Sequence, residues 1–193
     1  SPVFHGERPD PMPHYEMTGN PVSIAFSEQS PPVKMRSFKL YQDTKEIRDV
    51  KILDKDNDPN RLLTEHQFAL FPLQPLEYDT DYRAVFEYRQ NGKDRTAEWT
   101  FSTQKPDYPY FIVKGGETLA IESGQKYFIH WQDFWCLKQC ERYNYRTNRD
   151  TQIDIIERQA GGIIIRVNGS KGSSIRLMPE GEDRRAITLY LWK

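Results

Sequence analysis

The sequence lacks the features that mark several specialised classes of protein. It has two cysteines among 193 residues, too few for the disulfide framework of a small secreted domain. It contains no run of about 18 apolar residues, so no membrane-spanning helix is expected. The formal net charge is −1, which argues against nucleic acid as a partner because phosphate binding needs a basic face. One large or two small globular domains are therefore expected.

Proline is scarce in the second half of the chain. Of the 13 prolines, only Pro179 lies beyond residue 110. This change of composition predicts a boundary near Pro106 and Pro109, with a proline-rich extended lead-in over 1–14 that has no helix potential. We expect one domain over 15–104 and a second, smaller one over 105–193.

Alternation of apolar and polar residues predicts β-strands in the first half. Val22, Ile24 and Phe26 alternate with small residues, which is typical of a strand with one buried face. Asn91-Gly92 is a strong hairpin signal. Similar runs lie at 37–41, 47–53, 67–71, 82–88 and 97–101. Six or seven short strands in this space predict an antiparallel sandwich.

The second half shows the same pattern less regularly. Its predicted strands are 110–113, 118–121, 126–131, 152–157, 162–167, 174–178 and 186–192. A polar stretch between Asp133 and Asp150 breaks the alternation, and it is expected to form a long loop or one helical turn. The predicted fold class is all-β, with an antiparallel sandwich followed by a smaller β-rich domain that is either a sandwich or a barrel.

Several segments of the first half resemble one known family. Asn20–Ser27, Ser37–Tyr41, Phe71–Phe86 and Trp99–Thr103 together resemble a bacterial immunoglobulin-like domain of the SbsA type over residues 15–104. Such domains occupy repeated or accessory positions in exported proteins. The resemblance implies that the N-terminal sandwich is immunoglobulin-like.

A narrower resemblance concerns three other segments. Asp10–Pro13, Asp56–Asn60 and Phe68–Leu73 are similar to the region that follows the CAP domain in secreted bacterial CAP/SCP-like proteins. The similarity implies an extracellular or cell-envelope location and a non-catalytic accessory role, as a spacer or binding module, with an N-terminal CAP domain in the full-length chain. Its implied partners are cell-surface proteins or glycans. The cleft histidines and acidic residues of a CAP domain are not found here, so no catalytic role carries over.

The two cysteines, Cys136 and Cys140, stand four residues apart. No second Cys or His pair lies at metal-ligand spacing, so a structural zinc site is not predicted. In an exported protein, as the resemblance implies, the pair forms a local disulfide if the backbone brings the two Cα atoms within about 7 Å. Two free thiols are the alternative.

An acidic segment has the spacing of a calcium loop. Asp54, Asp56, Asp58 and Glu65 fall at positions 1, 3, 5 and 12 of an EF-hand-like pattern. Position 6 is Pro59, whose fixed φ cannot supply the sharp turn that glycine makes there. A turn stabilised by Asp and Asn side chains is the favoured interpretation, with Ca²⁺ binding as the alternative. No cofactor is predicted.

Aromatic residues are concentrated at the start of the second half. Exposed rings on a β surface stack on sugars or peptides. One hypothesis is therefore a carbohydrate- or peptide-binding patch formed by Tyr110, Trp131, Phe134 and Trp135. The favoured interpretation is core packing, because strand alternation requires at least one face to be buried.

No catalytic motif is visible. The four histidines are scattered, and the sequence contains neither a Gly-x-Ser-x-Gly elbow nor a phosphate-binding glycine loop. His130, between Ile129 and Trp131, is interpreted as a packed strand histidine rather than a general base. Enzyme activity is therefore not expected.

Overall fold

A computed structural model describes residues 3–4, 8–15, 17–135, 142–147, 150–159 and 161–193. Over these residues the fold is all-β, and the one helical element is a 3-10 turn at Asp183–Arg185. The strands are Val3–Phe4 (β1), Thr18–Gly19 (β2), Val22–Ala25 (β3), Lys34–Gln42 (β4), Lys45–Ile47 (β5), Val50–Leu53 (β6), Gln67–Pro72 (β7), Asp81–Gln90 (β8), Lys93–Ser102 (β9), Tyr110–Val113 (β10), Thr118–Ile121 (β11), Lys126–Trp131 (β12), Tyr143–Thr147 (β13), Gln152–Gln159 (β14), Gly162–Asn168 (β15), Ser174–Pro179 (β16) and Ile187–Leu191 (β17).

The chain forms two compact units, Ser1–Lys105 and Pro106–Lys193. The sequence places the boundary between the two domains one residue earlier, after residue 104. None of the described segments is a helix with the length and apolar character needed to cross a membrane.

The first unit is an antiparallel sandwich of the immunoglobulin type. One sheet has the strand order β3-β7-β6 and the other β5-β4-β8-β9. In immunoglobulin terms these are strands B-E-D facing C′-C-F-G. The inward side chains of both sheets form one core, which includes Val22, Phe38, Leu40, Phe68, Leu70, Tyr82, Ala84 and Phe86. The predicted fold class is confirmed for this unit.

The proline-rich lead-in contributes to the first unit. Strand β1 pairs with β2 in antiparallel fashion. Met12 is buried in a small cluster with Leu53, Ala69 and Phe71. The lead-in therefore supplies an apolar anchor as well as extended chain, which its proline spacing alone did not indicate.

The single strand expected over 47–53 is two strands in two sheets. β5 ends at Ile47 and pairs with β4, whereas β6 begins at Val50 and pairs with β7. Between them the chain makes a tight turn in which the Val50 amide donates to the Arg48 carbonyl at 3.0 Å. A period of two persists through such a crossing, so the pattern does not reveal the change of sheet.

The second unit is a sandwich of two separate sheets and not a barrel, which was the other fold predicted from the sequence. Its sheets have the orders β10-β12-β15-β14 and β11-β17-β16-β13. Strands β12-β15-β14 correspond to B-E-D and β13-β16-β17 to C-F-G, with β10 and β11 added in parallel beside β12 and β17. The core between the sheets includes Ile121, Ile129, Trp131, Ile163, Ile165, Val167, Ile175, Leu177, Leu189 and Leu191.

In each unit, a tyrosine hydroxyl near the start of a strand accepts a hydrogen bond from a backbone amide in the preceding turn. The Tyr82 hydroxyl, at the start of β8, accepts a hydrogen bond from the Glu77 amide at 3.0 Å. The Tyr127 hydroxyl, at the start of β12, accepts one from the Glu122 amide at 3.0 Å. In both cases the partner lies five residues upstream, and at β8 the arrangement is the tyrosine corner of immunoglobulin-like folds.

The polar stretch that was expected to be a loop or helical turn contains strand β13. Five residues, Tyr143–Thr147, pair in register with β16. Only Tyr143 among them is buried, because β13 lies at the edge of its sheet. A strand with one buried residue has no apolar alternation, which explains why the pattern failed to predict it.

Close backbone approach at Gly162 is a requirement of the second sandwich. A Cβ at this position would lie 2.1 Å from the Ile129 carbonyl oxygen, which belongs to the neighbouring strand. We expect Gly162→Ala to lower the free energy of unfolding of this unit by roughly 3 kcal/mol, because backbone must move to admit the methyl group. Urea unfolding followed by tryptophan fluorescence measures the change.

Gly172→Ala is the matched control for this steric effect. Its Cβ would have no neighbour within 4 Å, but its φ is +90°, so backbone strain alone should cost roughly 1–2 kcal/mol. Equal destabilisation by the two substitutions would contradict the close approach at Gly162.

Candidate functional site

The four aromatic residues proposed as a ligand-binding patch do not form one. Trp131 is 0% exposed in the core, and its indole N–H donates to the Arg185 carbonyl at 2.8 Å. Phe134 packs against the same core, with the Arg185 guanidinium 4.8 Å from its ring centroid. The prediction is wrong for Trp131, since a fully buried ring cannot stack on a ligand, and the packing interpretation accounts for Phe134.

Trp135 and Tyr110 are half-buried. The Trp135 ring lies 4.9 Å from the His130 ring, on the opposite side of β12 from Trp131. His130 is fully buried, with Nδ1 3.0 Å from the Gly161 carbonyl oxygen. The interpretation of His130 as a packed strand histidine is thus confirmed.

The acidic segment forms a turn, as its favoured interpretation predicts. The Asp58 carboxylate is buried and accepts hydrogen bonds from the backbone amides of Asn60, Leu62 and Leu63. Burial works to raise the pKa of Asp58, but these three amides outweigh it and hold the pKa below its ordinary value.

The structure gives the calcium alternative no support. The Asp56 carboxylate pairs with Lys55 at 2.5 Å, and Glu65 lies 3.7 Å from the His66 ring. Among the described residues, which include Asp54 and Asp58, no group of three or more acidic, His or Cys side chains is arranged to hold a metal ion. Cys136 and Cys140 lie outside the described residues, so their predicted disulfide stays a prediction.

A concave surface of the second unit is a groove between strands β13 and β14. Its volume is about 530 Å³, and its walls are Arg142, Tyr143, Asn144, Tyr145, Ile153, Asp154, Ile155, Arg158 and Glu180. These two strands lie at the edges of opposite sheets. The groove is therefore the open flank of the sandwich, where side chains of both inner faces reach solvent. We call it the β13–β14 groove.

A β-bulge determines which charge enters the β13–β14 groove. Ile153 and Ile155 of β14 pair with the inward residues Val167 and Ile165, so they face inward. Simple alternation would place Glu157 inward next. The register instead shifts after Ile155, and Arg158 pairs with the inward residue Ile163. Because of the extra residue, the next side chain at the groove is the guanidinium of Arg158 and not the carboxylate of Glu157. Bulges commonly redirect side chains in this way.

Tyr143 carries a buried hydroxyl at the base of the β13–β14 groove. The residue is 7% exposed, its ring lies 5.6 Å from that of Trp131, and the hydroxyl has no hydrogen-bond partner among the described residues. Burial raises the pKa of Tyr143 to about 12, although the charge of Arg158 acts in the opposite direction. Tyr145, two residues on, is 49% exposed and presents its ring at the mouth of the groove.

The outer face of β13 carries a pair of like charges. Arg146 and Arg176 lie directly opposite each other on β13 and β16, and both are exposed. Neither makes an ion pair or a side-chain hydrogen bond with any described residue. Like charges in this position destabilise a sheet. Asp154, by contrast, lies opposite Arg166 in the register of β14 and β15, so opposite charges face each other there.

Sequence reasoning missed this groove because it missed β13. The available signal was the short run Tyr-Asn-Tyr-Arg-Thr, whose aromatic and β-branched residues have high strand propensity. The inward position of Arg158 had no signal, since a bulge is not visible in the pattern of residues.

The first unit has a smaller cavity, which we do not regard as the site. Its volume is about 330 Å³ and its lining includes Leu76, Tyr78, Phe101 and Thr103. The Thr103 hydroxyl is already bonded to the carbonyls of Glu77 and Thr80. This cavity therefore offers few free polar groups that would orient a ligand.

Comparisons with known proteins give only distant likenesses. No protein-family model matches the sequence, and no curated protein matches it. Among solved structures, the chain is similar to the endo-fucoidan hydrolase MfFcnA4 from glycoside hydrolase family 107, at 7% identity and a TM-score of 0.33 over 90% of this chain. The chain spans 26% of that hydrolase.

Two further likenesses are to tandem domains. Domains 4 and 5 of the S-layer protein SbsC match 83% of this chain and 100% of their own length, at 13% identity and a TM-score of 0.28. A pair of titin immunoglobulin domains matches 89% of this chain and 87% of its own, at 11% identity and a TM-score of 0.26. These scores are low, so the immunoglobulin-like fold of the first unit rests on its strand order.

Removing two buried tyrosine hydroxyls should have opposite effects at pH 7. Tyr143→Phe removes a hydroxyl without a partner, so the free energy of unfolding should stay unchanged or rise by up to about 1 kcal/mol. Tyr82→Phe leaves the Glu77 amide without its acceptor and should cost about 1–2 kcal/mol. Urea unfolding of both variants provides the measurement. A loss of stability in Tyr143→Phe equal to that in Tyr82→Phe would contradict the unpartnered hydroxyl.

The same two variants should differ from the parent chain in alkali. Burial raises the pKa of Tyr82 and of Tyr143 from 10.0 to about 12. Between these values the unfolded chain releases the phenol proton and the folded chain retains it, so stability falls as pH rises, by up to about 1.4 kcal/mol per pH unit for each tyrosine. The contribution is fully present below pH 10. Phe at either position should flatten this slope for its own unit, and an unchanged slope would show that the tyrosine titrates normally.

Proposed function

We propose that this chain is a non-catalytic accessory region of an exported bacterial protein of the CAP-like kind, where it serves as a spacer and a binding module. The location and the CAP context derive from the sequence resemblance over 15–104 and in the segments at Asp10–Pro13, Asp56–Asn60 and Phe68–Leu73. The structure contributes the immunoglobulin-like architecture of the first unit and the sandwich of the second.

The environment of the two buried histidines supports a non-catalytic role. His130 is enclosed by Phe128, Trp135 and the Gly161 carbonyl, so its ring has no access to a substrate. His66 is likewise buried, within 3.7 Å of the Glu65 carboxylate. A general base must reach the proton that it abstracts. Both rings are instead buried by neighbouring residues.

The observation that carries the binding role is the β13–β14 groove. It joins an exposed aromatic ring, Tyr145, to an inward-facing guanidinium, Arg158, beside the unpartnered hydroxyl of Tyr143. A concave surface with a few convergent polar groups and an aromatic ring is typical of recognition sites. This groove takes the place of the aromatic patch that the sequence suggested, with a protein or a glycan of the cell surface as its ligand.

The reading frame that encodes the chain tests the exported, CAP-linked context. We expect it to specify a secretory signal and a CAP domain on the N-terminal side of these two units. A frame without an export signal would contradict the proposed location, and one with an export signal but a different neighbour would contradict the CAP association.

Turnover assays test the non-catalytic role. The intact chain, incubated with fluorogenic ester, peptide and glycoside substrates, should release product no faster than the heat-denatured chain. Release that requires the folded chain, and that falls when Tyr145 or Arg158 is replaced by Ala, would instead identify the β13–β14 groove as an active site.

A further inference from the structure

The free edge of β13 lies at a position that is filled in the first unit. Both units have strands C-F-G in one sheet. In the first unit, strand C is β4, and β5 covers its outer edge as strand C′. In the second unit, strand C is β13, and of the described strands only β16 pairs with it. The C′ position beside β13 is therefore open in the part of the chain that the structure describes.

The hydrogen-bonding groups at this edge can be assigned from the register. The Glu180 amide donates to the Arg142 carbonyl, so these two residues form a hydrogen-bonded pair. In an antiparallel ladder such pairs recur every second residue, which makes Asn144 and Arg146 the next residues bonded to β16. The backbone groups of Tyr143, Tyr145 and Thr147 then point away from β16 and toward the open flank.

The proline opposite Tyr143 agrees with this assignment. Tyr143 pairs with Pro179, which has no amide hydrogen to donate. A proline is tolerated at a position whose N–H would not enter the ladder. The open edge thus presents three amides and three carbonyls in extended geometry.

Charge and side-chain pattern define what fits beside β13. A strand added there alternates its side chains between the outer face, next to Arg146, and the inner face, over Tyr145 and the isoleucines of β14. Acidic side chains on the outer face would neutralise the like-charged pair Arg146 and Arg176. Apolar side chains on the inner face would cover Ile153 and Ile155.

A second copy of this chain is a poor occupant of the edge. Two β13 strands that paired antiparallel about Tyr145 would bring two copies of the pair Arg146 and Arg176 onto one outer face. This arrangement would add like charges where a partner should remove them.

We propose that β13 binds an extended segment of a partner protein with alternating acidic and apolar residues, which adds to the sheet as a C′ strand. The proposal deepens the binding role assigned above to the β13–β14 groove and names the class of its ligand. The main-chain ladder supplies affinity, and the alternate side chains supply specificity, as in other complexes formed by strand addition.

The probe is a fluorescein-labelled peptide of about eight residues in which Glu and Val alternate. Fluorescence anisotropy with the intact chain should show saturable binding that weakens as salt is added. The same peptide with Lys in place of Glu should bind at least tenfold more weakly. Equal binding of the Glu and Lys peptides, or no binding of either, would overturn the proposal.

Variants of the chain locate the interaction. Arg146→Glu combined with Arg176→Glu should weaken binding of the Glu peptide roughly tenfold, since attraction becomes repulsion on the outer face. Lys93→Glu combined with Arg95→Glu is the matched control, because it reverses the same number of charges and both residues are exposed on β9, an edge strand of the first unit. An equal loss in the control would place the peptide elsewhere and refute the assignment to β13.

Amide hydrogen exchange distinguishes strand addition from simple charge attraction. Bound Glu peptide should slow exchange at the amides of Tyr143, Tyr145 and Thr147 at least tenfold, with smaller changes at Asn144 and Arg146, which β16 already protects. Unchanged exchange at the first three amides would refute strand addition.

Two competing outcomes are measured in parallel. Dextran sulfate that binds at the groove while the Glu peptide does not would indicate an anionic glycan as the ligand and refute the peptide proposal. Dimers in sedimentation whose formation abolishes peptide binding would indicate a second copy instead. Neither result bears on export or on the CAP context, which the reading frame tests separately.

Discussion

Both sandwiches depend on burying the inward side chains of two sheets against each other. Strand β15 shows the constraint most clearly, since Ile163, Ile165 and Val167 are fully buried and alternate with Ile164 and Arg166 on the other face. A slip of one residue would turn all three inward side chains to the outside. The register of the central strands is therefore strongly specified, and the positions of the edge strands follow from it.

The two units differ more at their edges than in their cores. Each has strands B-E-D facing C-F-G, and each closes a turn with a buried tyrosine hydroxyl bonded to an amide five residues upstream. The first unit covers strand C with β5, whereas strand β13 of the second unit has one described neighbour. An uncovered edge exposes backbone donors and acceptors to other chains. The second unit can therefore pair with another strand at β13, where the first unit cannot at β4.

The sequence predicts the fold where a strand buries most of its apolar side chains and fails where burial is slight. β12 and β15 begin and end within one residue of the strands predicted over 126–131 and 162–167, and the all-β class follows from such runs. β13 was missed because Tyr143 is its one buried residue. For Trp131 the sequence favours core packing but leaves a binding patch as the alternative, because its residue type suits both a core and an interface, and only the packing of the two sheets decides between them. Arg158 enters the groove through a bulge, which depends on the pairing of two strands and not on either strand alone.

Two locally unfavourable features and a bulge coincide at one flank of the second unit. The Tyr143 hydroxyl is buried without a described partner, Arg146 faces Arg176 across the ladder, and a bulge in β14 turns Arg158 toward the groove. The unpartnered hydroxyl and the like-charged pair each work against stability. In the first unit, Tyr82 has a bonded hydroxyl and strand C has a covering strand. Natural sequences retain such local conflicts mainly at functional sites, because there a ligand supplies the missing partners. A strand with acidic side chains beside β13 would bond the open amides and neutralise the pair Arg146 and Arg176 in one binding event. On the inner side of that strand, the β14 bulge would place the guanidinium of Arg158 and not the carboxylate of Glu157.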